Sequence, residues 1–433
     1  MYKTILRVIT TISLCASMVL IPQDSASAAL KIATTCKLTS GFSYTVAATL
    51  SGNGLIYVAL ADAGSITNLQ SKARIIIHVV NPNTPTCKII ATYIDTVSYN
   101  SLSELLTQPI ARTDSAGNVY IGKSNLYGFR TIFIPATAPI TAPLSGLKVT
   151  SISGLSGNIT HGGMAVTDNH VLMMASKWVS GQKLYSYYAV LPVTKIRSGG
   201  DSVATWRKFS KMAAYGPRAS ANDSVEGLPD GTFYMAGSFE HSNPKFTGGH
   251  IILNPTTMIF KGAVTKIPGK VDLIPCNLTS LLITPYGCFY PSARLGADGN
   301  LYLSYGAGDK STNKRMIYAM KYNTSTKTWT GISGSTNPDK ISVTYNKEIT
   351  GTGIAADLSG NAYFAGTDGW NGSMVLAQYA NGKWNNRASN NVGIKEFGKP
   401  AVLFAPFGSG DRLSVFLVSL KTKGADIYWT TYK

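Results

Sequence analysis

The sequence is short of acidic residues and of histidine: 21 Asp and Glu stand against 39 Lys and Arg, with 5 His among 433 residues. Glutamate is scarce and no long Ala/Glu/Lys/Leu tract occurs, which argues against a helical bundle. HExxH, CxxC and DxDxDG are all missing, so no metal site and no cofactor are expected. A GxSxG element with acid and base following is missing too, which removes α/β-hydrolase chemistry. Basic residues never run four together, so no nucleic-acid-binding tail or helix is written in the chain. After the first 28 residues no apolar run reaches the length of about 20 that a membrane helix needs.

What is present begins with a leader. Lys3 and Arg7 supply a positive start, Val8 to Ile21 an apolar core, and Ala26-Ser27-Ala28 a small-residue cleavage pattern. Residues 1–28 are therefore expected to be a secretory signal peptide, and 29–433 a single exported unit. Leu14 before Cys15 is too bulky for a lipoprotein cleavage site. Cys36, Cys87, Cys276 and Cys288 remain, an even number that suits two disulfides in an oxidising compartment. Three pairings are open. Cys36–Cys87 with Cys276–Cys288 is favoured because the second pair brackets one compact loop. The formal charge of +18 draws anions, making an acidic polysaccharide or an envelope or surface protein the expected class of partner.

One fragment recurs along the chain. "DSAGNVYIG" starts at Asp114, "PDGTFYMAG" at Pro229, "ADGNLYLSYG" at Ala297 and "DLSGNAYFAG" at Asp357. A variant, "LSGNGLIYVAL", starts at Leu50, and worn copies start at Thr167 and Gly408. Asn-Gly, Asp-Gly and Gly-Asn accept the positive φ of a tight hairpin, and Asp bonds main-chain NH groups of its own turn. The alternating run that follows is strand chemistry. Taking Tyr57, Tyr120, Met173, Tyr234, Tyr302, Tyr363 and Phe416 as anchors, the hairpin returns after roughly 50–70 residues, the mark of a repeat architecture.

Each interval holds segments for four strands. The expected fold is all-β: a single β-propeller of seven four-stranded blades, closed by pairing of the N- and C-terminal strands. The competing β-helix needs shorter rungs. The pattern "IAADLSGNAYFAG" resembles the bacterial seven-bladed propeller (SBBP-type) repeats and the NHL repeats, over most of the chain. The resemblance implies the fold and leaves function open. It also implies that the segment before each turn is the innermost strand, lining a central channel.

On that mapping, Arg112, His161, Arg218, Arg294 and Lys399 fall at or near the lining as candidate ligand-binding residues. Arginine there suits carboxylate, sulfate or phosphate, whose paired oxygens match its fork. No catalytic set is legible. Glu240, His241 and His161 are the weak candidates for proton transfer. The leading expectation is an exported, non-catalytic binding protein for an anionic glycan or an envelope partner. The alternative is an exported propeller lyase or hydrolase acting in the axial pocket.

Overall fold

The computed structural model describes residues 32–41, 43–62, 74–84, 86–95, 109–125, 128–157, 159–179, 183–208, 225–240, 246–266, 292–309, 314–345, 349–368, 373–387, 401–407, 410–421 and 424–432. The leader, Arg218, His241, Cys276, Cys288 and Lys399 lie outside the described residues.

The chain forms seven sheets of four or five strands, arranged as a β-propeller. From blade 1 to blade 7 the innermost strands are Ser43–Leu50, Ile110–Thr113, Ile159–Val166, Val225–Gly227, Ser292–Leu295, Ile349–Ala356 and Ala401–Phe407. Each pairs antiparallel with the strand that follows it through the recurrent hairpin. Blade 7 contributes three C-terminal strands and takes its outermost from the other end of the chain. Ile32–Gly41 pairs antiparallel with Gly424–Tyr432, Cys36 opposite Trp429. The ring is thus closed by the pairing of the two chain ends, as expected.

A disulfide doubles that closure. Cys36, on the N-terminal strand of blade 7, is bonded to Cys87 beyond the third strand of blade 1. The bond spans 51 positions, and a loop of that size loses about 4 kcal/mol of unfolded-state entropy when closed.

The recurrent turn explains why the sequence repeats. In blade 6, Asp357 N–H donates to Asn361 O at 3.0 Å and Gly360 N–H to Asp357 O at 3.1 Å. Asp357 Oδ1 accepts from the backbone of Ser359 and Asn361, each at 2.9 Å. Tyr363, the anchor, then donates its hydroxyl to Asp357 Oδ2 at 3.0 Å. Blade 2 repeats the arrangement with Asp114, Asn118 and Tyr120. In blade 5 the carboxylate is Asp298, two positions further along the turn, and Tyr302 still reaches it at 2.7 Å. At Gly117 the turn needs glycine twice over: φ is +79°, and a Cβ would meet Gly52 Cα at 2.3 Å.

Anchors pack forward onto the next blade. Tyr57 packs with Ala111 and Ile121, Tyr234 with Leu301 and Leu303, Tyr302 with Ile354 and Phe364, and Phe416 with Val46 and Val58. All four are fully buried, each contributing about 1.5–3 kcal/mol. Blade 3 departs from the expected anchor. Its turn closes from Thr167 N–H to His170 O, one residue shorter than the others. A one-residue shift reverses the face of every following side chain. Met173 therefore packs back against Tyr120 and Phe133 of blade 2, and Leu172 takes the forward place beside Val225 and Phe233.

Two blades exceed or rearrange the four-stranded plan. After the third strand of blade 3, the helix α1 (Val193–Ser198) leads to Gly200–Val203, which adds a parallel fifth strand to blade 2. In blade 5 the outer strand comes in two pieces, Thr328–Gly331 and Asp339–Tyr345, both paired with Lys314–Asn323. Among the described residues, no helix is long and apolar enough to cross a membrane.

Candidate functional site

The inner strands all reach their turns at one end of the ring, which we call the turn face. There they surround a cavity of about 580 Å³ to which every blade contributes. Its floor is set in five of the blades by the inner-strand residue paired with the forward-facing anchor. That residue is Thr49 in blade 1, Arg112 in blade 2 and Glu226 in blade 4. Blades 5 and 6 place Arg294 and Ala355 there, whereas the anchor-paired Ala165 and Ala401 of blades 3 and 7 are buried against the next blade.

Arg112 and Arg294 therefore occupy equivalent positions, and both turn toward Glu226 at a third. Arg112 Nε lies 3.5 Å from Glu226 Oε2, and Arg294 Nη1 lies 3.8 Å from the same oxygen. Arg112 also donates to Ala111 O at 2.9 Å and to Val225 O at 2.8 Å. Blades 2 and 4 are not neighbours, so this side chain crosses the inner edge of blade 3 to reach blade 4. With its side chain only 3% exposed, Arg112 is a strut, whereas Arg294 at 14% reaches the cavity surface. The three groups together carry one net positive charge.

The rim has the opposite sign. Asp114 lies at the blade 2 turn, its carboxylate bound by Asn118, Tyr120 and Arg197 of helix α1, the last at 2.8 Å. Burial alone would raise its pKa, but those hydrogen bonds outweigh it and hold the carboxyl below its ordinary range. The same site pushes Tyr120 up, through burial first. Asp230 on the blade 4 turn is ion-paired with Lys327 at 2.5 Å and also bonded by Thr232. Exposed Asp168 accepts from Ser115 Oγ at 2.6 Å across the gap between blades 2 and 3. The wall from blades 6, 7 and 1 is apolar, with Ile354, Val402, Leu403, Phe404 and Leu50. Phe404 stacks on Tyr363 with ring centroids 5.9 Å apart.

Glu226 was hidden in the sequence for a definable reason. It stands two residues before the turn "LPDGT", as Arg112 stands before "DSAGN" and Arg294 before "GADGN". Counting from the aspartate conceals this, because the aspartate is the first turn residue in blade 2 and the third in blades 4 and 5. His161 pairs with Ser176 near the start of its inner strand, and Glu240 ends the second strand of blade 4, opposite Phe246. Both backbone positions are toward the end of the ring remote from the turn face. Among the described residues, no three His, Cys, Asp or Glu side chains gather as a metal site would require. One run, "GNVYIGKS" from Gly117 to Ser124, has the spacing of a phosphate-binding loop. It is a turn followed by the extended strand Val119–Asn125, with Lys123 and Ser124 buried, and so forms no cradle of NH groups.

No family model matches the chain, and no curated protein matches it. Solved structures do. A polysaccharide lyase, Uly1, is similar at a TM-score of 0.50 and 11% identity, over 95% of each chain. The sialidase of Trypanosoma rangeli matches with TM-score 0.43 and 10% identity, over 91% of this chain and 55% of that one. The β-propeller domain of the trilobed protease from Pyrococcus furiosus matches with TM-score 0.43 and 10% identity, over 90% and 94%. At such identities the likeness is one of fold: the chain is a seven-bladed β-propeller.

Proposed function

We propose that this protein is an exported, non-catalytic propeller that binds an acidic glycan at the axial cavity of its turn face. One observation carries the reading: two arginines meet one carboxylate at the floor of a cavity whose described lining holds no His, Lys, Tyr or Cys. Such a floor attracts an anion. Its carboxylates are engaged as well, Glu226 by both arginines and Asp114 by Arg197. The volume falls within the range of about 300–1,000 Å³ usual for small-ligand sites. The leader sequence, the disulfide and the +18 charge support an exported protein that works among anionic envelope material.

The test is binding of the purified protein to acidic and to neutral polysaccharides at low and at moderate salt. Binding confined to acidic glycans and weakened by salt is the expected result. Equal affinity for neutral glycans, or indifference to salt, overturns the reading. A second reading is a propeller lyase, favoured by the similarity to a polysaccharide lyase along nearly the whole chain. Its signature is the unsaturated sugar that β-elimination creates, followed by absorbance during incubation with polyuronates.

A further inference from the structure

We infer that the axial cavity receives the end of a saccharide whose terminal ring bears a single carboxylate, and does not hold the interior of a polyanionic chain. This rests on the glycan-binding reading above and narrows it. Three features support it.

The first is the floor. Arg112 spans from blade 2 to the Val225 carbonyl of blade 4, and Arg294 reaches Glu226 from blade 5. Side chains from three blades thus meet at the floor of the cavity and narrow the path on that side of the hub, which favours a ligand that enters tip first. The second is the order of charges. The floor carries one net positive charge, enough for one carboxylate. Asp114 and Asp230 at the rim are paired with Arg197 and Lys327, while among the described residues Asp168 is bonded by Ser115 alone. A ligand with a charge on every ring would set its next anionic groups near Asp168, a like-charge contact that disfavours it. The hydroxyls of an uncharged second ring would instead meet acceptors. The third is the apolar wall. Leu403 and Phe404, both partly exposed, offer the C–H face of a sugar ring a surface opposite the arginines. A carboxylate directed to Arg294 then leaves the ring body against blade 7.

The experiment is calorimetric titration of the disulfide-bonded protein with four probes: glucuronate, its methyl ester, a neutral oligosaccharide ended by one glucuronate, and polyuronates of graded length. Glucuronate and the glucuronate-ended oligosaccharide are expected to bind about tenfold or more tightly than the ester, the effect of one charge-assisted contact. Polyuronate stoichiometry is expected to follow the number of chain ends whatever the length. Arg294→Gln should erase the preference for the acid over the ester. The ester comparison needs no variant, so a misfolded substitution would not blunt the test. Stoichiometry rising with polymer length, or equal binding of acid and ester, overturns this inference and leaves the broader glycan reading standing. Absence of binding by every saccharide overturns both.

Discussion

At the hub, blades 2, 4 and 5 present Arg112, Glu226 and Arg294, whereas blades 6 and 1 present Ala355 and Thr49. The backbones are the same. Each position is paired with a buried anchor, and each follows the same strand into the same kind of turn. The difference is that one side stabilises the hub with desolvated charge and the other with small side chains and apolar packing. The repeat therefore dictates geometry and leaves this one position free to vary. The variation, not the repeat, is what gives the cavity its polarity.

Removing one member of the charged side breaks the comparison most severely. Arg112→Ala leaves the buried Glu226 carboxylate with Arg294 alone at 3.8 Å and takes a donor from the Val225 carbonyl. The expected loss is about 3–5 kcal/mol, read from urea unfolding midpoints. On the other side, Thr49→Val removes one hydroxyl contact, to Thr113 at 2.7 Å, and should cost about 1 kcal/mol. Neutralising the pair together, with Arg112→Met and Glu226→Gln, should recover much of the single-variant loss. If Arg112→Ala costs no more than Thr49→Val, the hub charges are solvated and the strut assignment is wrong.

Acid separates the two sides next. His78, on the third strand of blade 1, is buried with Nδ1 3.0 Å from Thr92 Oγ1, and burial lowers its pKa to about 4. Its folded pKa lies below its ordinary value of 6.5, so the unfolded chain takes up the proton first. The stabilisation is complete above pH 6.5 and is lost as the pH falls toward 4, in all about 3 kcal/mol. Asp114, on the charged side, is depressed below the ordinary carboxylate range and keeps its contribution until the pH falls below that range. Stability measured from pH 7 to 4 should therefore fall with a slope that His78→Gln abolishes. A slope unchanged in that variant would assign the acid sensitivity elsewhere.

Much of this was legible from residue types. The Asp-x-x-Gly-Asn turn, its aromatic anchor and the returning interval specify the blades because backbone turn chemistry tolerates few substitutes. The ring closure followed from having strands at both chain ends, and the Cys36–Cys87 bond is the pairing left once Cys276 and Cys288 are taken to bracket one compact loop. What could not be read depended on register. The shorter turn at Thr167 moved the blade 3 anchor from Met173 to Leu172, which spacing alone could not tell. Glu226 escaped because its significance lies in facing two arginines from other blades. Helix α1, which delivers Arg197 to Asp114, carries no repeat signature, and only packing against blade 2 explains it.

The finest test compares two copies of the same turn. Tyr363 in blade 6 donates to Asp357 at 3.0 Å, while Tyr120 in blade 2 donates to Asp114 at 2.8 Å and accepts from Arg197 Nε at 2.8 Å. Each Tyr→Phe change removes a hydrogen bond to a carboxylate, worth about 1.5–3 kcal/mol. Only Tyr120→Phe also deprives a guanidinium of an acceptor, so it should cost about 1 kcal/mol more than Tyr363→Phe. Adding Arg197→Met to both should remove that excess, because the second bond no longer exists to be lost. If the two substitutions cost the same before Arg197 is changed, helix α1 rests on blade 2 without bracing it, and the charged side of the ring stops at the hub.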